Sequence, residues 1–240
     1  LFEAIAAEAL KKIATFTPQA HANTVWAFAT AGVAAPALFE AVAGEAPTKM
    51  AAFNSQDLAN TAWAYATAGV EAPVLFDTVG KDAIRKIGLF TTQDLATLIY
   101  AYAKAGFEAP QLFEEAAALG RKKILEFNAQ ALAIIAWGFA NAKVPAPGLF
   151  QAVSAEAVKK IATFDAHNLA NISWAFASAG FPAPALFQAV ALEAAKHAAQ
   201  CTADDRSSLA WAFAKDGVEA PALFEALAKH EASAKHHRSA

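Results

Sequence analysis

Across residues 73–90 the apolar positions Leu75, Phe76, Val79, Ala83, Ile87 and Phe90 recur at helical spacing with polar residues between them. That pattern predicts an amphipathic helix, here called helix A. Pro73 suits its first position, since its φ is already set and it has no N–H to leave unpaired. Thr91 then offers an N-cap for a second helix, helix B, with Asp94 three residues on as in a capping box. Helix B turns Leu95, Ile99, Tyr102 and Ala103 inward and stops at Gly106, a natural residue for the left-handed turn that closes a helix. Ala109-Pro110 then begins the pattern again.

The pattern repeats along the whole chain. Leu1-Phe2 returns as Leu38-Phe39, Leu75-Phe76, Leu112-Phe113, Leu149-Phe150, Leu186-Phe187 and Leu223-Phe224, always 37 residues apart. The N-cap position holds Thr17, Asn54, Thr91, Asn128, Asp165 and Thr202, and the helix B stop holds Gly32, Gly69, Gly106, Gly180 and Gly217, with Lys143 as the exception. A fixed period of this size predicts a solenoid, in which each unit buries its apolar face on its neighbours. The expected fold is all-α: an αα-hairpin solenoid, right-handed as a superhelix, forming one array. Its units are 1–37, 38–74, 75–111, 112–148, 149–185 and 186–222, with a partial unit at 223–234 and a fraying polar tail at 235–240. Pro47 falls inside a helix A and predicts that this helix is bent or split.

Every aromatic residue keeps the register. The 18 Phe fill four positions of the unit, and Trp26, Trp63, Trp137, Trp174 and Trp211 fill another, with Tyr100 in the sixth place. Constancy of this kind predicts core, so few rings are expected to be left to stack on a ligand unless a framework ring is itself exposed. If Trp63 is core, its replacement by alanine costs about 3–5 kcal/mol. Cys201 is the single cysteine and occupies the place of Phe16, Phe53, Phe90, Phe127 and Phe164, which predicts a buried thiol standing in for a ring.

Composition narrows the function classes. The 57% hydrophobic fraction is driven by alanine, and Gly32 and Pro36 interrupt uncharged stretches before they reach the roughly 20 residues a membrane span needs. No membrane insertion is expected. The net charge of −3 lacks the overall basic excess of a typical nucleic-acid binder. The chain opens on Leu-Phe without the Ala-Pro found before it elsewhere, so residue 1 is expected not to be the native start and targeting information to lie upstream. No glycine-rich phosphate loop and no nucleophile–base pair is placed by any motif, and the acids follow the repeat instead of converging on a cleft. Catalysis, a cofactor, a small-molecule substrate and a metal site at His230, His236 and His237 are not expected.

The helix B segments at 58–69 (LANTAWAYATAG), 169–180 (LANISWAFASAG) and 21–32 (HANTVWAFATAG) carry a further signal. With Phe-Asn-Ser-Gln-Asp at 53–57, they resemble the octotricopeptide repeat family, whose units are αα-hairpins with a P-x-x-L-A-N-x-x-W-A-x-A-x-x-G core. The resemblance covers the chain, at one unit per 37 residues. It implies an RNA-binding protein of a chloroplast or mitochondrion that acts in RNA maturation, stability or translation. The family Asn stands at Asn23, Asn60 and Asn171, while Thr97, Ile134 and Ser208 replace it elsewhere.

Two surfaces are candidates for binding. The first is a basic ladder at the end of helix A: Lys11, Lys12, Lys49, Arg85, Lys86, Lys122, Lys123, Lys159, Lys160 and Lys196. It could follow a phosphate backbone, or only complement the helix dipole, since acids gather at the other end of helix A. The second lies on helix B, where residues four and then three apart share a face. It pairs Asn23 with Thr30, Asn60 with Thr67, Thr97 with Lys104, Ile134 with Asn141, Asn171 with Ser178 and Ser208 with Lys215, around a constant small residue such as Ala64 or Ala101. Variable hydrogen-bonding residues over a constant floor suit one-base-per-repeat readout; the alternative is that the alanine permits close packing and the rest has drifted. The leading expectation is a non-catalytic binder of single-stranded RNA. The alternative is a protein–protein scaffold subunit of a large organellar assembly, such as a ribosome or a photosynthetic complex.

Overall fold

The computed structural model describes the backbone of residues 1–238 and the side chains of residues 1–230. The side chains of the expected tail at 235–240, His236 and His237 among them, lie outside the described residues. Among the described residues the chain is all helix and turn, with no strand. The helices are α1 (Phe2–Lys12), α2 (Pro18–Thr30), α3 (Pro36–Glu45), α4 (Ser55–Ala68), α5 (Pro73–Arg85), α6 (Thr92–Ala105), α7 (Pro110–Lys122), α8 (Ala129–Asn141), α9 (Pro147–Lys160), α10 (Ala166–Ala179), α11 (Pro184–Lys196), α12 (Ala203–Asp216) and α13 (Pro221–Arg238). They group into two compact units, Leu1–Lys122 and Lys123–Ala240. In the first, the B-type helices α2, α4 and α6 pack side by side, and so do the A-type helices α1, α3, α5 and α7. In the second, the B helices α8, α10 and α12 pack in the same way, and α9, α11 and α13 form the A layer.

The local signals act as their chemistry requires. Thr17, Asn54, Thr91, Asn128, Asp165 and Thr202 each accept a hydrogen bond from the backbone amide three residues on. The reciprocal capping box closes at Asn54–Asp57 and Thr202–Asp205. Asp94 departs from the expectation: its carboxylate instead accepts from the Ser55 hydroxyl at 3.0 Å, tying α6 to α4. Lys143 takes the same left-handed turn as the glycines around it, with φ 56° against 66° at Gly69 and Gly106, so the backbone geometry is kept where the residue type is not. Pro47 splits its helix as predicted. It lacks the N–H that α-helical bonding would need, so α3 stops at Glu45 and the chain continues as a 3-10 helix over Ala46–Ala52.

The core lies between the two layers. It holds the Leu-Phe pairs from Leu38-Phe39 to Leu186-Phe187, the rings that end helix A (Phe53, Phe90, Phe127, Phe164) and the B-helix rings Phe28, Tyr65, Tyr102, Phe139, Phe176 and Phe213. The buried Tyr65 and Tyr102 hydroxyls donate to the carbonyls of Phe39 and Phe76, at 2.6 and 2.5 Å, which satisfies them and pins B to A. Cys201 is 5% exposed, a buried thiol in a ring position.

His21, like Arg206, departs from a position otherwise held by Leu58, Leu95, Leu132 and Leu169. Its ring is fully buried, with Nδ1 3.1 Å from the Thr17 carbonyl and Nε2 unpartnered. Burial holds the imidazole below its ordinary value of 6.5. The unfolded chain therefore takes up this proton first as pH falls. The stability this site contributes is full above pH 6.5 and is lost below it. His21→Leu is expected to flatten the fall in stability just below pH 6.5, as measured by urea denaturation across a pH series.

Candidate functional site

The basic ladder separates into two rows with different duties. In the inner row, lysine ammonium groups reach back to the preceding A–B turn and donate to its backbone carbonyls. Lys49 Nζ lies 2.5 Å from the Ala14 carbonyl and 3.0 Å from that of Phe16. Lys86 reaches the carbonyls of Ala51 at 2.9 Å, Phe53 at 2.7 Å and Met50 at 3.3 Å. Lys160 reaches those of Leu125 and Phe127, both at 2.8 Å. The Ala14, Ala51 and Leu125 carbonyls belong to the 3-10 turn, and the Phe16, Phe53 and Phe127 carbonyls to the extended residue that follows it. The lysine of the next pair donates to them, and the Met50 carbonyl, which already accepts the Phe53 N–H, takes Lys86 as a second donor. Lys123 is half-buried in the same position, and Lys12 pairs with Glu8 at 2.8 Å.

The outer row is Lys11, Arg85, Lys122, Lys159 and Lys196, all facing solvent. Four of the five pair with an acid three residues earlier: Lys11 with Glu8, Arg85 with Asp82, Lys159 with Glu156 and Lys196 with Glu193. Asp82, Glu156 and Glu193 are buried; Asp82 and Glu156 each hold an outer and an inner cation at once, and beside Glu193 the His197 ring takes the inner place, with Nε2 3.5 Å from the carboxylate. Lys160 and then Lys159 hold the Glu156 carboxyl below its ordinary value, and Lys196 does the same for Glu193. Position 119, where the fourth pair would place its acid, is Leu119, so the run Arg121-Lys122-Lys123 carries a local positive excess.

The open face of helix B is turned by one residue from the sequence expectation. The small residue taken as its floor is not on the surface: Ala64, Ala101, Ala175 and Ala212 are fully buried. The solvent face instead runs through positions separated by four, three and four residues. In α2 these are Gln19, Asn23, Trp26 and Thr30, all exposed. Asn60, Thr67, Thr97, Asn141, Asn171, Ser178 and Ser208 are half-buried on this face, as is Ile134, and Lys104 and Lys215 are exposed. Some are engaged. Thr67 has its hydroxyl oxygen buried without a partner. Asn171 Nδ2 lies 2.9 Å from His167 Nε2, whose ring passes on to Asp205 at 2.9 Å. Burial would raise the Asp205 carboxyl, but the Thr202 hydroxyl and amide, together with His167, outweigh it and hold it low.

The turn of the face makes the tryptophans its centre. Trp26 and Trp211 are 43% and 42% exposed, and Trp63, Trp137 and Trp174 are half-buried. The rings lie beside one another from helix to helix: Trp26 and Trp63 at 6.4 Å in the first unit, Trp137–Trp174 at 6.2 Å and Trp174–Trp211 at 6.0 Å in the second, with planes about 30° apart. The Lys215 and Lys104 ammonium groups stand 5.0 and 5.5 Å over the rings of Trp211 and Tyr100. The reading of these rings as core is therefore corrected, because Trp26 and Trp211 are exposed and Trp63, Trp137 and Trp174 are only partly buried. Accordingly Trp63→Ala is expected to cost about 1–2 kcal/mol in a denaturant titration, well below a fully buried ring. Sequence reasoning also passed over the glutamines Gln19, Gln56, Gln93 and Gln130, which recur at the period on the same face and are exposed.

At the C-terminal end of this face each unit has a surface pocket. One of about 390 Å³ lies among Tyr65, Val70, Pro73, Phe76, Lys104 and Phe107; one of about 460 Å³ lies among Phe139, Lys143, Val144, Phe150, Ser178 and Phe181. Among the described residues no group of His, Cys, Asp or Glu is placed to hold a metal, and no helix is long and apolar enough to cross a membrane. Compared with protein-family models and with curated proteins, the chain gives no match.

Proposed function

We propose that this protein binds single-stranded RNA along the open faces of its B helices, as a non-catalytic array of the octotricopeptide repeat type. In this reading the helix pairs form a right-handed superhelix of six repeats of 37 residues and a partial seventh, and the protein works on RNA processing, stability or translation in a chloroplast or mitochondrion. The observation that carries the proposal is the chemistry of the open face. Nearly every residue on it is an uncharged hydrogen-bonding group or a ring, with variable polar residues in register from helix to helix. Carboxylates are kept off it: Asp204 is the single acid at those positions in a chain of net charge −3. A polyanion can approach such a face, and base edges can be read by the groups that differ between pairs: Asn23, Thr30, Asn60, Thr97, Lys104, Asn141, Ser178, Ser208 and Lys215.

Phosphate contact falls to the outer cations Lys11, Arg85, Lys122, Lys159 and Lys196. The ion pairs of Lys11, Arg85, Lys159 and Lys196 are solvent-exposed and screened on the cation side, and Lys122 has no acid three residues earlier, so each can turn to a phosphate. The inner lysines are committed to carbonyls and contribute positive potential from where they stand. The test is anisotropy of a labelled single-stranded RNA at about 50 mM and about 200 mM salt. With about three to five phosphate contacts on a single strand, affinity is expected to fall roughly 20- to 100-fold between them. Absence of binding at the lower salt overturns the reading, and a stoichiometric protein partner recovered free of nucleic acid supports the scaffold alternative.

A further inference from the structure

The tryptophans are spent in a way that core packing does not require. The chain has five, all at one position of the unit, and in every case the ring lies on the solvent side of helix B. Three other aromatic positions already fill the core between the layers. A leucine would cover the same alanine-rich helix contact without placing a polarisable ring in water. Large rings that are 43% and 42% exposed, on a face otherwise made of small polar groups, are the form of a binding surface.

We infer that the tryptophan rows are stacking platforms for the bases of a single-stranded nucleic acid: Trp26 and Trp63 with Tyr100 in the first unit, Trp137, Trp174 and Trp211 in the second. This rests on the RNA-binding reading and adds a role that the polar positions do not supply. Every base has a π-face, so stacking gives affinity independent of sequence, while the residues four and three positions away on the same helix face meet base edges. The occupant is fixed by charge complementarity. The cations on this face, Lys104 and Lys215, sit over rings of the row, where they attract phosphate and strengthen stacking together. An acidic peptide could meet the lysines and the polar rows, but it offers no unbroken succession of π-faces to the ring row, as a single strand of bases does.

The row carries its own reporter. Because all five tryptophans belong to it, tryptophan emission, excited at the red edge where tyrosine does not absorb, reads this surface. The intact chain is titrated with a single-stranded RNA oligomer, with a sugar–phosphate oligomer lacking bases, and with heparin. RNA is expected to quench the fluorescence, and the two base-free polyanions to leave it nearly unchanged. Trp63→Leu and Trp174→Leu are each expected to weaken RNA binding by about five-fold or more, the lower end of what one base–ring stack supplies. Trp63→Phe and Trp174→Phe should restore most of it, and far-UV circular dichroism should match the parent throughout. Equal RNA affinity of the leucine variants, or equal quenching by heparin, overturns the stacking role while the RNA-binding reading stands. Failure of the parent chain to bind any single-stranded RNA overturns both.

Discussion

Phe53→Ala is expected to be among the most damaging single substitutions in the protein, costing about 3–5 kcal/mol. Phe53 is 1% exposed and stacks on His21 at 6.4 Å. It ends helix A on an extended backbone, and its own N–H donates to the Met50 carbonyl at 3.0 Å. The ring therefore fixes the corner between the layers as well as filling space. Removing about 200 Å² of buried aromatic surface loses its transfer free energy. The cavity that remains cannot collapse, because Lys86 holds the surrounding turn from the next pair. The measurement is urea denaturation, read as a lowered midpoint at an unchanged slope. A cost within 1 kcal/mol of that of Trp63→Ala would erase the distinction between core rings and surface rings drawn above.

Lys86→Met is expected to cost about 2–3 kcal/mol, although lysine is ordinarily a surface residue of little consequence. Methionine keeps the apolar stem and deletes the ammonium. The carbonyls of Ala51 and Phe53 lose this donor and that of Met50 keeps only the Phe53 N–H, and Asp82, which is 1% exposed, is left with Arg85 as its cation. Truncating one partner of a buried charged group is costly because the other stays buried. Lys159→Met is the control, with its side chain 66% exposed and a single pairing to Glu156; it is expected to change stability by less than about 0.5 kcal/mol. Equal effects of the two substitutions would mean that the inner lysines do not hold neighbouring pairs together. The contrast also separates stability from binding, since Lys159 belongs to the row proposed to meet phosphate and Lys86 does not.

Much of the local architecture was legible in the chain. Helical periodicity, Pro at the start of helix A, the six capping residues and the closing glycines each act within a few residues, and the structure places them as read. Pro47 broke its helix for the same reason, a missing N–H whose effect is local. Asp94 shows where local reading stops. It has the spacing of a capping box, and its carboxylate is instead taken by Ser55, a residue 39 positions earlier in sequence that becomes its neighbour only when α4 packs on α6.

The candidate site was legible in residue type and not in orientation. The period marked the lysines, the polar positions of helix B and the tryptophans, but one turn of helix offers several faces, and a constant aromatic and a constant alanine look equally like core. Sequence by itself determined that the chain makes paired helices, where each begins and ends, and which residue types recur. Tertiary packing decided which way each face points. The alanine one residue past tryptophan, or past Tyr100 in α6, is the one buried in α4, α6, α10 and α12, and the ring position one residue before it is left partly exposed. The same packing brings Lys49, Lys86 and Lys160 within reach of the preceding turn's carbonyls, which divides one basic ladder into a structural row and an open one.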